Sequence, residues 1–222
     1  MKQAILIAAA TAAALAGVTT VLAQGNAQPP ANPAKMSFFI TSTGSGQGGN
    51  LGGLAGADKL CKDRATAAGA PASRVWRAYL SATAANGQPA VNARDRIGKG
   101  PWYNARGEQV GRDVADLHRE GSPINKATGL DERGNSVNGR GDTPNKHDIM
   151  TGSNRDGTLA GDLTCGNWTS NGAGQTRVGH FDRTGGGDYP TSWNSAHSSK
   201  SCSQPDLIST GGDGLIFCFA ER

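Results

Sequence analysis

The apolar residues of this chain fall in short, widely separated groups, and their spacing changes along the sequence. Met36-Ser-Phe-Phe-Ile-Thr-Ser-Thr43 is β-branched and aromatic and predicts a first strand. Leu54, Ala57, Leu60, Cys61, Arg64, Ala65 and Ala68 recur at helical spacing. They predict a helix from about Gly53 to Ala68, closed by Gly69 and Pro71, with Cys61 on its buried face. Arg74 to Ser81 alternates, with Trp76, Ala78 and Leu80 on the apolar side, and reads as a strand with Trp76 in the core. Val91 to Ile97 suits a short helix. Trp102-Tyr103 and Glu108-Gln109-Val110 flank Ala105-Arg106-Gly107 as a hairpin would. From Asp113 to Leu163 regularity fails, and Val114, Leu117, Ile124, Leu130, Ile149, Met150 and Leu159 are the residues able to bury there. The last dense apolar run, Gly214 to Ala220, is a core strand carrying Cys218.

Composition changes this picture in two ways. Glycine is about twice its usual share and shows no fixed period, so it signals many turns rather than a collagen-like repeat. The glycine-rich Gly44 to Gly53 lacks the Gly-Lys-Ser/Thr ending of a phosphate loop and is read as a turn. Residues 1–23 contain one charge, Lys2, an alanine-rich apolar run and Val21-Leu22-Ala23, and read as a secretory signal peptide. Residues 24–35, with Pro29, Pro30 and Pro33, read as a Pro-rich, disordered linker. Residues 36–222 then form one domain, secreted or periplasmic, with no membrane span in the mature form. The formal charge of +4 is scattered without a basic run, which argues against a nucleic-acid partner.

Four cysteines in an exported chain allow three pairings of two disulfides. No Cys-x-x-Cys pair is present, which removes the usual cysteine-zinc signature. The favoured pairing is Cys61–Cys218, helix to core strand, and Cys165–Cys202, which closes the late loop region on itself. The order of a helix cysteine, Cys165-Gly-Asn-Trp168, Cys202 and a terminal Phe217-Cys-Phe-Ala-Glu221 resembles a C-type lectin-like domain. The bacterial secreted and endostatin-type branches are nearest. Phe38 to Thr43, Asn50 to Cys61, Asp148 to Asn154 and Ser192 to His197 share the resemblance, which covers about residues 37–221. It implies an α+β, loop-rich fold with short helices around small antiparallel sheets and two nested disulfides. It also implies a binding module for a glycan or glycoconjugate. Adhesion to a cell-surface protein through the same loops is the alternative, and a secreted hydrolase is a weaker one. In calcium-dependent members the tryptophan after the second cysteine precedes Asn-Asp. Here Thr169-Ser170 follow Trp168, so the calcium motif is not matched and no cofactor or metal ligand is assigned.

The candidate ligand-binding residues are Asn171, His180, Asp182, Trp193, Asn194 and His197. Trp193 would be the stacking face, Asn194 and Asp182 the partners of sugar hydroxyls, and the Cys165–Cys202 bridge the support. Trp168, beside a disulfide cysteine, is read as core. His180, Asp182 and His197 lack a nucleophile for catalysis, and as zinc ligands they need a third partner that the sequence does not name. Their plainer role is to fix loop backbone by hydrogen bonds. Asn154 to Gly157 reads as an Asx-turn rather than a calcium loop. Arg140-Gly141-Asp142 is an exposed tripeptide of the integrin-binding type, taken as coincidence of composition.

Overall fold

A computed structural model describes residues 30–221. The signal-peptide assignment and the first part of the linker lie outside these residues. The elements in order are β1 (Phe38–Ile40), α1 (Gly53–Ala67), β2 (Trp76–Ala78), α2 (Ala93–Arg96), β3 (Trp102–Tyr103) and β4 (Gln109–Gly111). They continue with α3 (Val114–His118), β5 (Asp148–Met150), α4 (Cys165–Trp168), β6 (Arg177–His180), β7 (His197–Ser198), α5 (Gln204–Ser209) and β8 (Gly212–Ala220). The result is a mixed helix-and-sheet fold dominated by ordered loops.

The strand β8 is the centre of the main sheet, whose order is β1-β8-β5-β6-β7 with β2 also on β8. Nine residues long, it is buried along nearly all its length, as expected of a strand covered on both faces. Its alternation divides the core in two. Ile216, Cys218 and Ala220 enter one cluster with Phe39, Trp76, Trp168 and the buried face of α1. Leu215, Phe217 and Phe219 enter the other with Phe38, Tyr79, Trp102 and Trp193. The sheet is not purely antiparallel as expected: β5 runs parallel to β8, with Asp148 opposite Gly212. Antiparallel strands could follow a tight turn, but β5 and β8 are joined by a long excursion, which leaves the parallel register accessible. A separate hairpin pairs β3 with β4.

Both disulfides form as the cysteine order suggested, Cys61–Cys218 and Cys165–Cys202, closing separations of 157 and 37 residues, the second nested within the first. In the chain-entropy description each is worth roughly 4–5 kcal/mol, taken singly. That supports a fold with few aromatic side chains. Cys165 and Trp168 open and close one left-handed turn, with φ of 49° to 66° from Cys165 to Trp168. Such a conformation is unfavourable for non-glycine residues and must be held from outside. The bridge, Trp168 Nε1 donating to the Ser81 carbonyl at 2.8 Å, and Asn167 Oδ1 accepting from Thr83 N–H at 2.8 Å hold it.

The end of the Pro-rich segment is ordered, against expectation. Asn32 N–H donates to the Ala105 carbonyl at 2.6 Å and Lys35 lies over the Tyr103 ring, so residues 32–35 close onto the β3–β4 hairpin. No helix of the described residues is long and apolar enough to cross a membrane.

Candidate metal centre

The β5–β6–β7 end of the sheet turns polar on the face that is apolar deeper in. Met150 and Val178 are partners in the register and belong to the core. Two residues away along the same face, Asp148 stands opposite His180, and His197 of β7 pairs with Val178 on that face. Side chains two apart on a strand share a face, so the pleat brings Asp148, His180 and His197 together. His147, one residue before β5, stacks on His180 with ring centroids 4.2 Å apart and planes 9° apart.

Three imidazoles converge on one oxygen. The Nε2 atoms of His147, His180 and His197 lie 3.3, 3.2 and 3.4 Å from Oδ1 of Asp148. The Asp148 side chain is 2% exposed, and His147 and His180 are also buried. Yet neither oxygen of Asp148 nor Nε2 of His180 has a hydrogen-bond partner among the described residues. One ligand atom each from His147, Asp148 and His180 fall within 4.8 Å of one another. His197, half-buried, lies outside that group, although its Nε2 is 3.4 Å from Asp148 Oδ1.

The opposite nitrogen of each ring is engaged. Nδ1 of His147 is 3.2 Å from Oδ1 of Asp182, Nδ1 of His180 is 3.0 Å from the Pro190 carbonyl, and Nδ1 of His197 is 3.0 Å from the Ser198 carbonyl. Each partner is an oxygen that can only accept, so each Nδ1 carries the proton. In a neutral imidazole that leaves the Nε2 lone pair as the free group, and all three Nε2 atoms lie 3.2–3.4 Å from Asp148 Oδ1. Lone pairs facing a carboxylate oxygen in a buried site repel unless protons or a cation lie between them. Fixing the ring through its second nitrogen is how proteins prepare a histidine for metal ligation. The spacing also suits an ion. Metal–ligand bonds of about 2.0–2.1 Å in a tetrahedron set ligand atoms about 3.3–3.4 Å apart, and the three Nε2–Oδ1 distances span that value.

The contacts favour the charged forms of Asp148 and His197, a carboxylate beside an imidazolium. Burial opposes ionisation of Asp148, and the His180 and His197 imidazoles outweigh it, holding its carboxyl below the usual range. The same contact raises His197. For Asp182, burial is again opposed, by hydrogen bonds from His147 and from the Arg140 backbone N–H at 2.6 Å, and its carboxyl falls to about 2. Asp182 is therefore a fixed anion behind His147.

Two glycines let the covering loop close. A Cβ on Gly185 (φ 134°) would come within 2.7 Å of the His180 ring, and one on Gly187 (φ 95°) within 2.9 Å of His197. A cavity of about 420 Å³ opens over the three histidines, bordered by Arg140, Asn145, Gly186, Gly187 and Thr210.

The sequence-predicted binding residues divide. His180, His197 and Asp182 belong to this cluster. Asn171 is exposed in the turn beside the Cys165–Cys202 bridge and is not part of it. Trp193 is not a stacking face: it is 3% exposed, packs on Tyr79, Phe217 and Phe219, and its Nε1 donates to the Leu117 carbonyl at 2.8 Å. Asn194 is not free for sugar hydroxyls. It is buried, and Nδ2 donates to Tyr79 Oη at 3.0 Å and to the Asn154 carbonyl at 2.9 Å. The partners the sequence did not name are His147 and Asp148. The available signal was the adjacent His147-Asp148 pair before the apolar Ile149-Met150. The Asx-turn holds, with Thr158 N–H donating to Asp156 Oδ1 at 3.0 Å. Arg140, Gly141 and Asp142 are exposed, and Asp142 pairs with Lys126. No family model matches this chain, and no curated protein matches it.

Proposed function

We propose that this chain is an exported binding module built around a divalent transition-metal centre, with His147, Asp148, His180 and His197 as ligands and zinc as the ion. The observation that carries the reading is the approach of three Nε2 atoms, each with its Nδ1 already engaged, to a buried carboxylate that has no hydrogen bond among the described residues. Three imidazoles and one carboxylate are borderline donors, suited to zinc and poorly suited to calcium or magnesium, which take oxygen ligands. An oxidised, disulfide-paired chain fits a redox-inert ion. The test is metal content after incubation with zinc and dialysis. About one zinc per chain is expected for the wild type, and less than about a fifth of that for His147→Ala and His180→Ala. Retention of less than about a fifth of an equivalent by the wild type, or equal retention by all three proteins, would sink the reading.

The C-type lectin-like fold remains the architectural reading. Two nested disulfides, a core Trp168 after Cys165 and a terminal core strand support it. The glycan reading moves from Trp193 to Tyr189, a residue 45% exposed whose ring also has the Arg177 guanidinium 5.6 Å from its centroid. It borders a polar cavity of about 260 Å³ together with Arg155, Arg183 and Asp188, and the Arg155 guanidinium lies 5.1 Å from its centroid. Exposed aromatic faces beside hydrogen-bonding groups suit a sugar ring. An array of glycans probed with wild type and Tyr189→Ala tests this reading, and equal signals from both would remove it.

A further inference from the structure

Resting on the glycan reading, we infer that the cavity beside Tyr189 takes a tetrahedral oxyanion, presented as the sulfate or phosphate monoester of a sugar. The site is independent of the metal centre. Three arginines from three separate segments border it: Arg119 after α3, Arg155 between β5 and α4, and Arg183 after β6.

Each guanidinium is held in place and keeps donors to spare. Arg183 has φ 59°, a left-handed conformation that costs an arginine free energy and must be held by its surroundings. Its Nε donates to the Thr191 carbonyl at 3.3 Å and its Nη1 to the Ser122 carbonyl at 2.8 Å, which leaves Nη2 unused among the described residues. Arg119 Nε donates to Asp116 Oδ1 at 2.8 Å and Nη1 to the Glu120 carbonyl at 3.2 Å, and its Nη2 is likewise unused among the described residues. The Arg155 guanidinium has neither hydrogen bond nor ion pair among the described residues and lies 5.1 Å from the Tyr189 ring centroid. Buried Asn194 anchors its segment, Nδ2 donating to the Asn154 and Arg155 carbonyls at 2.9 and 3.3 Å. The Thr191 hydroxyl adds a neutral donor, also without a partner among the described residues.

The carboxylates around the cavity do not cancel these charges. Asp188 pairs with Arg177 at 2.7 Å, and Asp116 is shared by Arg112 and Arg119 at 3.1 and 2.8 Å. Glu120 also borders the space. Five guanidiniums and three carboxylates leave two positive charges. Guanidinium groups match oxyanions that accept parallel N–H bonds. Three arginines and a hydroxyl offer more donors than the two oxygens of a carboxylate take in pairs, whereas a sulfate or phosphate ester presents three terminal oxygens. The volume, about 260 Å³, is near the lower end of small-molecule sites and suits the ester group with a single sugar ring.

The experiment uses the full oxidised protein, freed of metal by chelator and dialysis and kept at constant ionic strength. It is titrated calorimetrically with glucose 6-sulfate, glucose 6-phosphate, glucuronate, glucose, and inorganic sulfate and phosphate. One ester or both should bind saturably, tighter by about tenfold or more than glucose, glucuronate or either inorganic ion. The tighter of the two identifies the ester. Arg155→Ala removes an exposed side chain, and Arg183→Gly places a glycine where φ is 59°, so both variants keep the fold. Each should lose about tenfold or more in ester affinity, as for a charge-assisted contact, while Lys59→Ala on α1 binds as the wild type does. Esters bound no tighter than glucose overturn the oxyanion while the glycan reading stands. Glucuronate bound as tightly as both esters overturns the tetrahedral group, and inorganic ions bound as tightly overturn the sugar. Ester affinity unchanged in both arginine variants overturns the assignment to this cavity. Absence of saturable binding by every titrant overturns the inference, and the glycan array with Tyr189→Ala then decides the glycan reading separately.

Discussion

Asp148→Asn separates a metal centre from a buried cluster of ordinary ion pairs, because the two accounts give opposite signs. At pH 8 without metal, the substitution replaces a buried carboxylate, whose oxygens lack hydrogen bonds among the described residues, by a neutral group of the same shape. Leaving such a group unpaired costs about 1–3 kcal/mol, so the Asn variant should match or exceed the wild type in chelator. With zinc at about 100 times its Kd, the wild type gains about 2.7 kcal/mol. For a domain of this size each kcal/mol moves Tm by about 2–4 °C, giving a zinc shift of about 5–11 °C. If the variant loses about 100-fold in zinc affinity, the same zinc concentration gives it only about 0.4 kcal/mol, or 1–2 °C. Scanning calorimetry of both proteins at pH 8, in chelator and in zinc, reads all four values. A wild type indifferent to zinc, with the Asn variant several degrees less stable in chelator, would refute the reasoning. In that case Asp148 would be the counter-ion of protonated histidines, whose loss costs about 3–5 kcal/mol.

Three further outcomes are expected. Cys218→Ser should lower Tm more than Cys202→Ser, because it opens the 157-residue loop rather than the 37-residue one and leaves a hydroxyl within fully buried β8; equal, small losses would show that the core does not depend on the long bridge. Asp116 is held well below the usual carboxylate range by Arg112 and Arg119. Its stabilisation is present above about pH 4, the unfolded value, and is lost as pH falls through the folded one. Asp116→Asn should therefore flatten the acid limb of a Tm-against-pH profile, and an unchanged slope would count against it. Trp193→Ala should cost about 3–5 kcal/mol in urea unfolding, as removal of a core indole does; a loss below about 1 kcal/mol would return Trp193 to the surface.

Much of the frame was legible because it is written locally. Helical spacing located α1 within one residue, alternation located β2 around Trp76, and the terminal apolar run located β8. The cysteine order gave both bridges, since a cysteine on a buried helix face and one in a core strand need each other. The site was only partly legible. His180, Asp182 and His197 stood out in a polar loop, but the partner that makes them a centre is assembled by β5–β6 pairing across more than thirty residues. No local spacing encodes that register. Trp193 misled for the same reason. Ser192 and Asn194 beside it suggested a polar surface, whereas the loop turns inward and lays the indole on Tyr79 and Phe217. Flanking polarity describes neighbours in sequence, and burial is decided by neighbours in space.

The central claim, a metal held by His147, Asp148, His180 and His197, is tested most directly by anomalous diffraction from crystals grown with one equivalent of zinc. Data collected on both sides of the zinc absorption edge should show one strong difference peak. It should lie about 2.0–2.2 Å from the Nε2 atoms and a carboxylate oxygen of Asp148. Zinc peaks confined to other parts of the molecule, with the three imidazoles hydrogen-bonded to Asp148, would contradict the account.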